Sequence, residues 1–191
     1  MAVTARDNSA AGLGGKRNTG EDWRDQYQTP PGVRSLVKRL VGRPNLDVAA
    51  SADNRFGADY LGPGHTEAAF RDGLKADWRD AMWFAGDEPN PQFVAWCNPP
   101  YSEVGQWMER CAHFGQYMTV CALVYERRET LWWREHVQPH AREVITLYPR
   151  VRFVDPRTGV LSKGSSSLHS CLIIWRPGFT GPPSSTHAKW T

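Results

Sequence analysis

The segment Asn98-Pro99-Pro100-Tyr101 carries the residue types in this chain that are best suited to chemistry on a planar molecule. Asn98 offers a side-chain carbonyl and Pro99 a main-chain carbonyl, while Tyr101 offers a flat ring with a polar end. The two prolines restrict the backbone, so the direction of each group is fixed. Two acceptors beside an aromatic face suit a planar compound that bears an NH2 group.

An exocyclic amine on adenine or cytosine is a poor nucleophile because its lone pair is delocalised into the ring. Hydrogen bonds accepted from both N–H bonds return the lone pair to nitrogen and orient it. The segment therefore predicts activation of such an amine by positioned acceptors, without a covalent intermediate.

Two flanking elements are predicted to position this segment. Residues Phe93 to Cys97 form a short apolar run typical of a buried strand, which the prolines end because they cannot donate to a β-ladder. Ser102 is placed to cap a following helix. That helix shows the apolar spacing i, i+3, i+4 and i+7 at Val104, Trp107, Met108 and Cys111. In an open α/β sheet such a turn lies at the carboxyl ends of the strands, where ligands bind.

The apolar strand followed by NPPY resembles the catalytic motif of S-adenosylmethionine-dependent amino-methyltransferases, which act on adenine N6, cytosine N4 or glutamine in proteins. The wider chain resembles the phage-type DNA N6-adenine methyltransferases, the Dam-type family. Five segments match in the family's order: YQTP at 27–30, LDVAAS at 46–51, DGLKADW at 72–78, WCNPPYS at 96–102 and SCLIIWRP at 170–177.

This resemblance implies a Rossmann-like α/β fold, with a mostly parallel sheet flanked by helices and a late antiparallel strand. It implies methyl transfer from S-adenosylmethionine to adenine N6 in double-stranded DNA, with the target base flipped out and stacked on Tyr101. The implied catalytic residues are Asn98, Pro99, Pro100 and Tyr101. No metal is expected, because the leaving group is already activated.

The resemblance also assigns residues to the methionine end of the cofactor. Gln28, Thr29 and Pro30 form the threonine-proline turn that touches this end in the family, although Thr29 is also a plausible helix cap. Asp47, at the end of the first cofactor strand, is expected to contact the amino group.

The remainder of the cofactor is expected to lie along the residues that follow. Ala49 and Ala50 are small enough for a ligand to approach the backbone. Asp53 or Asn54 is a candidate for the ribose hydroxyls, with a solvated turn as the alternative. The segment that resembles the family's acid and apolar wall for the adenine ring contributes Asp72 or Asp77 as the acid and Trp78 as the wall. The alternative for this segment is a turn with a core tryptophan.

Contacts with DNA are expected in the second half of the chain, where basic residues are frequent. The candidates are Arg127, Arg128, Trp132 and Lys163, with solvated surface as the ordinary explanation for the cations. A core role is the alternative for at least one tryptophan of the pair Trp132 and Trp133.

The remaining periodicity predicts further elements. A helix begins at residues 28–31 and ends at Gly42, and strands are predicted at 45–49, 117–124 and 143–147. A late pair of strands is predicted at 151–154 and 170–175. Residues 1–22 and 178–191 are expected to be flexible tails around a catalytic domain at 23–177.

Bulk properties set wider limits. A length of 191 residues with 40% hydrophobic residues indicates one globular domain, and a net charge of +3 permits nucleic acid without requiring it. The four cysteines form no C-x-x-C pair, which favours buried thiols in the cytoplasm over a zinc site. No membrane span or obligate protein partner is evident.

Three other functions fit the same acceptors. Cytosine N4 presents an equivalent amine, and a glutamine amide in a protein substrate does so as well. The third alternative is a cofactor-binding module without activity.

Overall fold

A computed structural model describes residues 27–84, 92–164 and 168–191. The first helix, α1 (Pro31–Val41), begins with proline in its first turn and buries the stripe Val33, Leu36 and Val37. Gly42 ends it with a φ of 90°, a conformation that favours glycine. Pro30 occupies the N-cap position without a side-chain capping bond, so the predicted cap at Thr29 is wrong. The predicted N-terminal tail, residues 1–22, lies outside the described residues.

The remaining helices and strands follow in a regular order along the chain. After α1 come β1 (Leu46–Asp47), β2 (Asp59–Tyr60), α2 (Trp78–Phe84), β3 (Val94–Cys97), α3 (Val104–Phe114) and β4 (Thr119–Tyr125). A π-helical segment (Trp133–Val137) then precedes β5 (Glu143–Tyr148), β6 (Ser170–Trp175) and β7 (Ser184–Lys189).

The seven strands form one sheet in the order β2-β1-β3-β4-β6-β5-β7. Strands β2, β1, β3 and β4 are parallel neighbours, whereas β6 runs antiparallel to both β4 and β5. Strand β7 pairs parallel with β5. All strands except β6 therefore point their carboxyl ends to one edge, and the predicted mostly parallel α/β sheet with a late antiparallel strand is confirmed.

The sheet is covered on both faces, which explains the continuous apolar runs in its central strands. In β4, Val120, Ala122 and Val124 join a core cluster that includes residues of α2, α3 and the π-helical segment. The alternate residues Cys121 and Leu123 join a second cluster with residues of α1. This alternation places one helical layer on each side of the sheet.

Two expected features of the second half differ from the structure. Residues 151–154 form no strand, and only Val154 makes isolated bridges, to Gln28 and Leu161. Strand β6 pairs with β4 and β5 instead. The second difference is β7, which lies within the segment expected to fray after Gly178. It is wrong to treat residues 184–189 as a tail, because they hydrogen-bond along β5 and lead to the buried Trp190.

All four cysteines are buried and unpaired, as the sequence predicts. Across residues 27–84, 92–164 and 168–191, no helix has both the length and the apolar character that crossing a bilayer requires.

Candidate active site

The NPPY segment lies where the sequence predicts, between a buried strand and a helix. Strand β3 ends at Cys97, and a 3-10 turn (Tyr101–Glu103) connects the segment to α3. Glu103, without a side-chain capping bond, occupies the N-cap position of α3, so the predicted cap at Ser102 is wrong. Because Asp47 pairs with Trp96 across parallel strands, the residues that follow β1 and β3 meet at the same edge.

A cleft of about 850 Å³ opens at this edge of the sheet. Its volume lies within the range of roughly 300–1,000 Å³ that is typical of small-molecule sites. Of the predicted site residues, it is lined by Gln28, Ala49, Ala50, Asp53, Asp72 and Pro100. Asn54, the alternative to Asp53, lines it as well, whereas sequence reasoning missed other lining residues, among them Arg71 and Trp107.

Small residues keep one wall of the cleft free of side chains. At Gly62, φ is 153° and an added Cβ would collide with the carbonyl oxygen of Ala50. At Gly73, an added Cβ would lie 2.8 Å from the Trp107 ring and closer still to the carbonyl oxygen of Val48. Both glycines are therefore required by close packing of the wall.

A small polar cavity of about 30 Å³ adjoins the cleft and shares Gln28, Ala49 and Asn54 with it. Four further polar side chains face the small cavity: Thr29, Arg34, Asp47 and Asn98. The structure thus brings the threonine-proline turn, the end of β1 and the NPPY segment together at one point.

The Asn98 side chain is held in one orientation. Its Nδ2 donates to the carbonyl oxygen of Tyr27 at 3.3 Å. Its Oδ1 is buried and has no hydrogen-bond partner within the described part of the chain. Since a buried acceptor without a partner costs free energy, this oxygen is available for a donor that the protein does not supply.

The Tyr101 ring is fixed by aromatic neighbours. It stacks on Tyr125 with ring centroids 4.2 Å apart and meets Phe153 edge-on at 6.4 Å. Burial raises the pKa of the Tyr101 phenol well above its usual value, so the hydroxyl stays protonated. One face of the ring is occupied by Tyr125, so a stacked ligand would have to lie against the other face.

Asp47 is a buried carboxylate at the end of β1. Its Oδ2 accepts a hydrogen bond from the Phe56 amide at 2.8 Å, and its Oδ1 accepts one from the Ala49 amide at 3.4 Å. Burial raises its pKa to about 6, while these bonds and the charge of Arg34 oppose the rise.

Arg34 lies on α1, in a segment whose residue pattern does not indicate a site. Its terminal nitrogen donates to the carbonyl oxygen of Asn54 at 3.2 Å, and its Nε is buried with no partner among the described residues. Asp47 and Arg34 give the small cavity one carboxylate and one guanidinium.

Asp72 and Asp77 have different surroundings. Asp72 lines the cleft and pairs with Lys75 at 2.9 Å, and the hydrogen bond from Lys75 lowers the pKa of its carboxyl. Asp77 pairs with Arg79 instead, and that bond lowers its pKa. It does not line the cleft.

Trp78 does not form the expected wall of the site. It is fully buried, stacks on Phe114 with centroids 4.6 Å apart, and donates from Nε1 to the carbonyl oxygen of Gly73 at 2.8 Å. The tryptophan that lines the cleft is Trp107, on α3. Pro30, like Asp77 and Trp78, is not among the residues that line the cleft or the small cavity.

The four residues expected to contact DNA do not line the cleft. Arg127 and Arg128 follow β4, are exposed, and form ion pairs with Glu129 and Glu126 at 2.5 and 2.6 Å. Such exposed pairs contribute little free energy and can exchange for other anions. Trp132 is half-buried against the core, whereas its neighbour Trp133 belongs to the core. Lys163 is exposed in the loop before β6.

Comparison with known proteins identifies a family whose sequence model matches this chain. The model of the family described as DNA N-6-adenine-methyltransferase (Dam) matches residues 16–189. No curated protein matches the chain. The matched range contains the NPPY segment, the cleft and every strand of the sheet.

Proposed function

This chain belongs to the DNA N-6-adenine-methyltransferase (Dam) family, and from that premise we propose that its NPPY segment holds a flipped adenine of double-stranded DNA for methylation at N6. The family makes the chain a DNA adenine methyltransferase that depends on S-adenosylmethionine. The residue roles that follow belong to the proposal.

The cleft fits S-adenosylmethionine, which supplies a methyl group on positively charged sulfur when it is bound. Its volume is sufficient, and Gly62 and Ala50, which carry little or no side chain, both line it. Asp72 offers an acceptor for the adenine amine, and Asp53 offers one for the ribose hydroxyls. Both line the same cleft.

The small polar cavity, at about 30 Å³, has room for one small polar group and would receive the ammonium group of the cofactor's amino-acid end. Asp47 would hold the ammonium group, for which its ionised carboxylate is the natural partner. Gln28 and Thr29 lie beside it and would position the chain of the methionine portion. Ala49 lines both cavities and leaves room for the ligand to pass between them.

The unpartnered Oδ1 of Asn98 is the observation that carries the proposal. The Tyr27 carbonyl holds the amide nitrogen, so the oxygen is presented as an acceptor before any substrate arrives. It would accept one N–H of the target amine, and the Pro99 carbonyl would accept the other. This arrangement costs no reorganisation during the reaction, which is what makes fixed acceptors effective.

Aromatic stacking would hold the base itself. Tyr101 would receive the base on the ring face opposite Tyr125, which supports the ring from behind. Pro100 lines the cleft directly and restricts how far the ring can move from it.

The surrounding duplex would be held by groups outside the cleft. Arg127 and Arg128 follow the carboxyl end of β4, on the same edge as Asn98, and Lys163 is exposed in the loop before β6. Phosphates can replace their present partners, because counterion exchange drives such contacts. Trp132 is the tryptophan of its pair that can stack on a nucleotide, since Trp133 is in the core.

The variant Asn98→Ala tests this proposal. We expect it to bind S-adenosylhomocysteine within about twofold of the wild type and to lose roughly 100-fold or more of methyl transfer to DNA, as removal of a fixed catalytic hydrogen-bonding group does. Calorimetry measures the binding, and incorporation of labelled methyl groups into mixed-sequence DNA measures turnover. Gln106→Ala, which removes an exposed amide on α3, is the matched control. Undiminished methyl transfer by Asn98→Ala would overturn the proposed role.

A further inference from the structure

The wall of the cleft contains a buried hydrogen-bond donor that no described residue accepts from. Trp107 is 5% exposed, lines the cleft from α3, and has an indole Nε1 with no partner in the described ranges. An unsatisfied buried N–H is unfavourable, so its position calls for an acceptor that binds in the cleft.

Three other buried tryptophans of this protein satisfy the same group. Trp78, Trp175 and Trp190 each donate from Nε1 to a main-chain carbonyl, at 2.8, 3.1 and 2.6 Å respectively. Trp107 therefore differs from these three tryptophans.

Gly73 brings the segment that follows Asp72 against the Trp107 ring. An added Cβ at Gly73 would lie 2.8 Å from the six-membered part of that ring, so only glycine lets the two segments come this close. Asp72, the residue before Gly73, lines the same cleft, and its side chain is 43% exposed. Its two oxygens accept from the Leu74 amide and from Lys75, and each retains a lone pair. The same cleft is thus lined by a side chain that can accept and by one that can donate.

This pair matches the hydrogen-bonding pattern of an adenine ring. Adenine presents an amine that donates and ring nitrogens that accept. We propose that Trp107 Nε1 donates to a ring nitrogen of the cofactor's adenine while Asp72 accepts from its amine, which makes Trp107 a residue that determines specificity for the adenosyl group. The proposal rests on the proposed function and deepens it, because it names the tryptophan that recognises the cofactor base.

A series of cofactor analogues tests the role of Trp107 in the unmodified protein. Dissociation constants are measured by calorimetry for S-adenosylhomocysteine and for its 1-deaza, 3-deaza and 7-deaza analogues, each of which lacks one ring nitrogen. We expect one of the three to bind the wild type roughly three- to tenfold more weakly than the parent compound, as loss of one hydrogen bond does. If all three bind as tightly as the parent compound, the inference is wrong.

The variant Trp107→Phe, measured with the same analogues, completes a thermodynamic cycle between the indole N–H and the ring nitrogen. It is expected to bind S-adenosylhomocysteine roughly three- to tenfold more weakly than the wild type and to lose the discrimination against the deaza analogue. Trp175→Phe also removes a buried indole, and it should keep the discrimination because its N–H already bonds the His136 carbonyl. Discrimination that persists in Trp107→Phe would refute the role of the indole. A wild type that binds none of these compounds would instead refute the proposed function.

Discussion

At the scale of single residues, the candidate site is defined by polar atoms whose partners are absent from the protein itself. Asn98 Oδ1 and Trp107 Nε1 are buried without partners in the described part of the chain, one an acceptor and the other a donor. Such atoms normally find partners within a folded protein. Their position beside two adjoining cavities at the carboxyl edge of the sheet is explained if substrate and cofactor supply the missing groups.

The charge of Asp47 predicts how cofactor binding depends on pH. With its pKa raised to about 6 by burial, Asp47 is ionised above that pH and neutral below it. A ligand ammonium binds the ionised form, so the affinity for S-adenosylhomocysteine should fall as the pH drops through about 6, by at most about tenfold per unit. The facing charge, Arg34, stays positive over this range, and the nearby Cys97 thiol stays neutral because burial raises its pKa.

Calorimetry between about pH 5 and about pH 8 checks this dependence. In Asp47→Asn, the affinity should match the low-pH value of the wild type and stay constant across the range. A wild-type affinity that is the same on both sides of pH 6 would contradict the contact between Asp47 and the ammonium.

Sequence reasoning located the NPPY segment but did not identify the tryptophan that lines the cleft. The apolar run, the prolines and the stripe on α3 are local signals, and the strand, turn and helix follow from them. Trp78 and Trp107 both lie on helices with apolar neighbours, so local pattern does not distinguish them. Trp107 lines the cleft because Gly73 packs closely against its ring. This contact joins segments that are distant in the chain, so the local sequence of neither helix predicts it.

At the scale of secondary-structure elements, the clearest departure from the sequence is β7. Its residues, SSTHAK, are mostly exposed and show no apolar alternation, so no periodic signal predicts a strand. Pairing with β5 along six residues forms it instead. The strand predicted at 151–154 is absent because an apolar pattern there has another origin. Val151 and Phe153 are buried in the core, but they do not join the sheet.

The residue after β7 predicts that this C-terminal segment stabilises the protein. Trp190 is 8% exposed, donates from Nε1 to the Pro149 carbonyl at 2.6 Å, and packs against α1 at Gly32. Trp190→Ala should therefore lower the free energy of unfolding by about 3–5 kcal/mol, as loss of a buried aromatic side chain does. Urea denaturation measures this change.

The exposed Trp83 provides the comparison, because Trp83→Ala removes the same atoms from a side chain that is 57% exposed. That variant should change the free energy of unfolding by less than about 0.5 kcal/mol. Equal stability of the wild type and Trp190→Ala would show that the segment after Gly178 is frayed in solution after all.

At the scale of the whole molecule, the parallel strands collect the candidate groups on one edge. The residues after β1, β3 and β4 carry the small cavity, the NPPY segment and the exposed Arg127 and Arg128. A duplex placed over this edge would reach the cleft and the basic side chains together. The mild net charge of +3 is then less important than where the cations lie.

The salt dependence of DNA binding checks this orientation. If Arg127 contacts one phosphate, Arg127→Ala should reduce the slope of log K against log salt concentration by about 0.9. Arg142→Ala is the matched control, because Arg142 is exposed immediately before β5, at the opposite edge. Fluorescence anisotropy with a labelled duplex measures both slopes. Equal slopes for Arg127→Ala and the wild type would exclude this phosphate contact, and a reduced slope for Arg142→Ala would place the duplex on the other edge.

The identity of the methylated product tests the central claim most directly. The protein is incubated with mixed-sequence duplex DNA and S-adenosylmethionine that carries a deuterated methyl group, and the DNA is then digested to nucleosides for mass spectrometry. We predict labelled N6-methyl-2′-deoxyadenosine with the wild type and essentially none with Asn98→Ala. Label in N4-methyl-2′-deoxycytidine, no label in any nucleoside, or equal adenine labelling by both proteins would contradict the account.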